Sequence, residues 1–151
     1  QVVWTGFDEK LRIEDAPGFG LDATLTLDYG SKAFLGFRAG YMGWNTETDD
    51  DVPGKDSVQV RQYRFGVFGQ FSVRLLEIGV GANVGAYRFR REKDSDTAAY
   101  FEFEGRFGVR PHPQFWAGLV GMQTMTGTDF NRSSHHFVIN YSIGPAVEFR
   151  F

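Results

Sequence analysis

The chain has 151 residues, enough for one domain built on one closed sheet, and its composition includes 19 Gly, 16 Phe and no Cys. The lack of cysteine excludes disulfides and thiol chemistry and weighs against a zinc site; the net charge of −3 supplies no basic field for nucleic acid. No run reaches the roughly 18 apolar residues of a transmembrane helix, and no secretory leader is recognisable, so in an exported protein Gln1 is expected near the mature N-terminus.

Alternation of apolar and polar residues then predicts strands along the chain. Residues 2–13 place Val3, Phe7, Leu11 and Ile13 on one parity against Asp8, Lys10 and Arg12, a first strand. Pro17 and Gly18 predict a turn over 14–18. Residues 19–29 alternate from Phe19 to Tyr29, and Gly30-Ser31 predicts a tight turn into a strand over 33–44. Residues 45–57 form an acidic loop with Asp49, Asp50, Asp51, Pro53 and Gly54. Strands over 58–73 and 76–90 flank a short turn at Arg74. A charged loop over 91–97 precedes a strand over 99–110, and Pro111-His112-Pro113 predicts a rigid turn. Residues 115–126 are a strand of unsettled parity, and 127–134 are a loop. The count is eight strands with no room for a helix.

The last strand, 136–151, carries Phe137, Ile139, Tyr141, Ile143, Pro145, Val147, Phe149 and Phe151 on one face, and the sequence ends on that aromatic. It resembles the terminal strand of bacterial outer-membrane β-barrel proteins, in particular the small eight-stranded OmpA/OmpX-like class. The resemblance implies that Tyr141, Ile143, Val147, Phe149 and Phe151 form the signal read by the barrel-assembly machinery during insertion. Pro145 departs from the pattern because it has no N–H for the ladder, so a bulge or an unpaired edge is expected there.

The arrangement of connections fits that class, in which strands are even in number and short turns gather at one end, longer loops at the other. The expected fold is all-β: an eight-stranded antiparallel up-and-down transmembrane β-barrel, with residues 1–151 as one domain. The face bearing Asp22, Arg38, Arg64, Glu77, Asn83, Glu102, Glu104, Arg106 and Glu148 is interleaved with glycine. Glycine suits a crowded interior better than a solvent-facing strand. The Leu, Val, Ala and Phe face is then outside, against lipid. A soluble lipocalin-like ligand-binding barrel inverts these faces.

An eight-stranded barrel is just wide enough for side chains to fill. Arg38, Arg64, Glu102, Glu104 and Arg106 are therefore expected as a paired interior charge network, with a narrow small-solute channel as the alternative use of the same groups. Ser133, Ser134, His135 and His136, with Asp129 and Glu148, supply the residue types of a hydrolase. They do not reproduce the order found in outer-membrane lipid A deacylases, which leaves a lipid-modifying enzyme as a lesser alternative to a polar loop end. Asp49, Asp51 and Gly54 begin like a calcium loop, but Pro53 and Val60 break the pattern. No cofactor or metal is implied. Arg90, Arg91 and Lys93 near the rim are candidates for lipopolysaccharide phosphates. The function expected is a bacterial outer-membrane barrel with a structural or interaction role. Its partners would be outer-membrane lipids, lipopolysaccharide and a protein engaged through the loops, and not nucleic acid.

Overall fold

The structure, a computed structural model, describes residues 1–28, 32–48, 56–92, 94–128 and 136–149. Its strands are β1 (Val2–Gly6), β2 (Ala16–Asp28), β3 (Ala33–Glu47), β4 (Ser57–Val73), β5 (Leu76–Arg91), β6 (Asp94–His112), β7 (Phe115–Thr128) and β8 (His136–Phe149). Each pairs antiparallel with the next, and β8 returns to β1, closing a barrel in chain order. The strands β2 to β8 have 13 to 19 residues, against the roughly five or six usual in soluble domains. At about 3.3 Å per residue and a tilt near 40°, such strands cross a hydrocarbon layer of roughly 30 Å.

The two faces decide what kind of barrel this is. Outward, Leu21 is 80% exposed and Val80 68%; inward, Arg64 and Glu102 are 0% exposed. Apolar side chains cover the outside and charged ones fill the inside, the inverse of a soluble barrel. On β7 the structure settles the parity. Trp116, Val120, Met122, Thr124, Thr126 and Thr128 point in, with Leu119 out.

Three local expectations are corrected, and a fourth is narrowed to one of its alternatives. The first strand ends at Gly6, and the chain then forms a short 3-10 helix, η1 (Glu9–Leu11). Asp8 caps η1 by accepting the Lys10 N–H, and Arg12 ends it in the left-handed region at φ 51°. Phe7, Leu11 and Ile13 are all buried, so their shared parity reflects burial and not a strand. Second, 14–18 is no turn: β2 starts at Ala16, and Pro17 sits opposite Trp4 near the strand's beginning, where proline is tolerated. Third, the loop over 91–97 is a tight hairpin, because Asp94 to Thr97 pair in register with Arg91 to Arg88. At Pro145 the expected alternative of an unpaired edge is the one the structure shows, with no bulge. Pro145 lies opposite Leu119 in regular register with β7, while the β8 register with β1 stops at Ile143, so the unpaired edge falls on the β1 side. The register shift instead lies between Val109 and His112, beside Pro111, and β6 runs on to His112 before the turn.

The β1–β2 connection folds into the barrel mouth as a lid. Phe7 meets Trp44 edge-to-face with centroids 6.0 Å apart, Ile13 bridges Thr48, and the Thr46 hydroxyl donates to the Glu14 carbonyl at 2.7 Å. Asp8 pins the lid to β8, its carboxylate accepting the Ile139 N–H at 3.0 Å while its own N–H donates to Asn140 Oδ1 at 2.9 Å. Replacing Asp8 by alanine removes both the helix cap and the tether, and is expected to cost about 0.5–2 kcal/mol. Urea unfolding of the refolded barrel in detergent measures it; an unchanged midpoint would mean that the lid contributes nothing to stability.

Candidate functional site: a charged plug in the lumen

Parity sends one residue in two of every strand into the lumen, and register sets the layers. Directly beneath the lid lies an aromatic layer. Trp44, Tyr87, Phe89 and Tyr100 are all buried, with Tyr87 and Tyr100 centroids 5.0 Å apart and Tyr87 stacked on Phe89 at 5.5 Å. These rings pack against one another across the loop end of the barrel.

Below them sits the central layer, built on Arg64 and Glu102. The Arg64 guanidinium grips Asp22 with two bonds, Nε at 2.8 Å and Nη2 at 2.6 Å, and reaches Glu102 at 3.4 Å and Glu104 at 3.7 Å. Glu102 also accepts from Gln62 at 2.7 Å, Asn83 at 2.8 Å and Thr124 at 3.2 Å. Arg38 pairs with Glu104. Gly66 lies opposite Arg38, and Gly40 and Gly85 flank Arg64. That leaves lumen volume for two arginines on neighbouring strands, whose like charges would otherwise repel. The carboxylates from β2 and β6 offset the repulsion.

The short-turn end carries a second layer. Arg106 pairs with Glu148 at 3.0 Å, and Arg110 joins Glu148 at 3.3 Å to Glu77 at 2.6 Å. Gln70 and Ser72 donate to Glu77 as well. Phe68 connects the two layers: the Arg38 guanidinium stands 4.8 Å from its ring centre and Arg106 stands 5.8 Å away, while Arg106 also lies 4.2 Å over Trp116. Such cation–π contacts favour a desolvated guanidinium. A Cβ at Gly36 would overlap the Phe68 ring, so any other residue there would displace that ring. Beside these groups a cavity of about 490 Å³ is lined by Asp22, Thr24, Arg38, Glu104, Arg106 and Glu148, among others.

All five residues expected in the interior network thus lie in the lumen, but not in one cluster. Arg38, Arg64, Glu102 and Glu104 share the central layer, whereas Arg106 belongs with Glu148 in the lower one. Asp22, Gln62, Asn83, Thr124 and Arg110 are further members of these layers. Asp22 and Asn83 stand on the inward parity and Gln62 shares that of Arg64, whereas the unsettled parity of residues 115–126 hides Thr124 and the bulge after Val109 hides Arg110.

The terminal-strand residues Tyr141, Ile143, Val147 and Phe149 all point outward, between 58% and 63% exposed. Phe151 lies outside the described residues, as do Lys93, the acidic loop from Asp49 to Gly54, and Asp129, Ser133, Ser134 and His135. At the rim Arg90 is exposed on the outer face. Arg91, by contrast, is corrected as a lipid-facing candidate: its Nε donates to Asp56 at 2.6 Å, so its charge is held by the residue just before β4. One residue more along β5 turns the side chain to the other face.

Eight meandering strands, an apolar outer belt and a lumen packed with charge together define the fold of the small outer-membrane barrels. The solved structures agree. Neisserial surface protein A (NspA) superposes with a TM-score of 0.73 at 11% identity, over 99% of this chain and 93% of that one. The outer membrane protease OmpT from Escherichia coli matches with a TM-score of 0.51 at 14% identity, over 92% of this chain but only 65% of OmpT. No protein-family model matches the sequence, and no curated protein does.

Proposed function

We propose that this chain is a closed barrel of the bacterial outer membrane, a membrane-anchored structural or interaction protein, neither an enzyme nor an open pore. The observation that carries the reading is the stack of three lumen layers, aromatic, Arg64–Glu102 and Arg106–Glu148. A wide aqueous path would have to break ion pairs from which water is largely excluded. The apolar belt supports a membrane setting, and outward Tyr141, Ile143, Val147 and Phe149 suit recognition by the assembly machinery before insertion. Protein recognition is left to the loops at the lid end. The likeness to a protease is one of fold, and it lends no catalytic residue.

Two measurements test this. The refolded protein should run on a gel in SDS as a compact species until boiled, and purified protein should give no steady large conductance in planar bilayers. Such a conductance would refute the plug. The cavity of about 490 Å³ beside Arg38 and Glu104 favours one second reading, a narrow gated channel. A small conductance that rises when Arg38 or Glu104 is truncated would establish that reading in place of the first.

A further inference from the structure

We propose that Arg61, Arg88 and Arg90 form a binding site for the phosphate groups of a lipid headgroup on the barrel's outer wall. This rests on the reading of the barrel as a membrane protein and adds a specific ligand to it.

The site is defined by where the belt ends. On β5 the outward positions from Leu76 to Ala86 are apolar, and the next two are Arg88 and Arg90. Those eleven residues rise about 33 Å along the strand, or about 25 Å along the barrel axis at a tilt near 40°, which is the height of an apolar band. The two arginines therefore stand at headgroup level at the loop end. On β4 the outward Tyr63 faces Tyr41 with ring centroids 5.5 Å apart, an aromatic marker of the interface, and Arg61 is the next outward residue above it.

Register then brings like charges together. Arg61 is the direct cross-strand partner of Arg88. Two guanidiniums so placed are destabilising unless something negative lies between them. Among the described residues neither Arg88 nor Arg90 has an ion-pair partner. The outward residues beside them on β4 and β6 are Ser57, Gln59, Ser95 and Thr97, none of them charged. Glu92, exposed in the turn two residues beyond Arg90, forms no ion pair with it among the described residues, and Glu47, the next outward carboxylate, lies on β3 beyond Ser57. Arg61 leans away from Arg88, with Nη1 on the Trp44 carbonyl at 3.1 Å and on Asn45 Oδ1 at 3.4 Å. Gly43 gives it that room, since a Cβ there would come within 2.9 Å of Nη1. These are surface bonds that a doubly charged phosphate would outcompete. Arginine suits the role because its fork bonds phosphate oxygens in pairs.

The test uses the refolded barrel, with heat-modifiability checked for each variant so that loss of fold is read separately from loss of binding. Binding of vesicles containing lipopolysaccharide is compared with binding of vesicles containing the same lipid stripped of its phosphates, and with inorganic phosphate alone. Wild type should prefer the phosphorylated lipid, and each of R61Q, R88Q and R90Q should weaken binding by about tenfold, the scale of one hydrogen bond to a charged group. R12Q, on the lid, should leave it unchanged. Equal binding of the three variants and wild type would overturn the site. Equal binding of the dephosphorylated lipid would overturn the role of phosphate, and inorganic phosphate bound as tightly as the lipid would overturn the lipid as its source.

Discussion

Replacing Arg64 by leucine is expected to lower the unfolding free energy of the barrel by about 3–5 kcal/mol, the cost of leaving buried charge without its partner. Arg64 is 0% exposed and touches three carboxylates, Asp22, Glu102 and Glu104. Removing it strands Asp22 entirely, since the two bonds that hold that carboxylate both come from this guanidinium. Glu102 retains its bonds to Gln62, Asn83 and Thr124, and Glu104 retains Arg38. Asp22→Asn combined with Arg64→Leu should therefore recover part of the loss, while Glu102→Gln combined with it should recover less. A double-mutant cycle in urea reads these couplings directly. If Arg64→Leu shifts stability no more than Arg90→Gln at the rim, the central layer is not what holds the lumen together.

The same layer shows what alternation in the sequence can and cannot specify. Period two placed Arg38, Arg64, Glu102 and Glu104 on one face, because side chains of a strand alternate strictly and a slip of one residue would turn Leu and Val inward. It also gave the barrel itself, since long strands and a meander leave few other closures. What it could not give is who meets whom across the lumen. Arg106 and Glu148 come from β6 and β8, which are not neighbours, and their contact depends on barrel diameter and tilt. The lid was invisible for a different reason. Val3, Phe7, Leu11 and Ile13 keep the parity of a strand while the chain between them turns through η1, so burial of the same residues fits two backbones. Asp8 was the available signal, a helix-capping residue just before the turn. Arg91 misled because the rim was read as a run of basic residues, whereas the pleat sends Arg88 and Arg90 out and Arg91 to Asp56.

Replacing Val80 by arginine is expected to destabilise the membrane-embedded barrel by about 2–4 kcal/mol, the cost of a cation at the midplane of a bilayer, and Ala86→Arg by only about 0–1 kcal/mol. Val80 lies near the middle of the outward run on β5 and is 68% exposed. Its cross-strand partners are Gly69 on β4 and Gly105 on β6, and a Cβ at either would meet nothing within 4 Å. The wall is therefore shallow directly beside Val80, and its diagonal neighbours Phe71, Phe103 and Phe107 are apolar and offer a guanidinium placed there no polar partner. Ala86 stands beside Tyr63, one outward step below Arg88, so an arginine at that position reaches the polar rim with a single bend of its stem. The comparison is made by unfolding both variants from lipid vesicles and again from detergent micelles, where the charged head can find water and the difference should shrink. Equal costs at the two positions in vesicles would mean that no depth gradient acts on β5. A wild-type chain that stays monomeric in buffer without detergent would place the Leu76 to Ala86 face in water and overturn the membrane assignment together with the headgroup level inferred for Arg88 and Arg90.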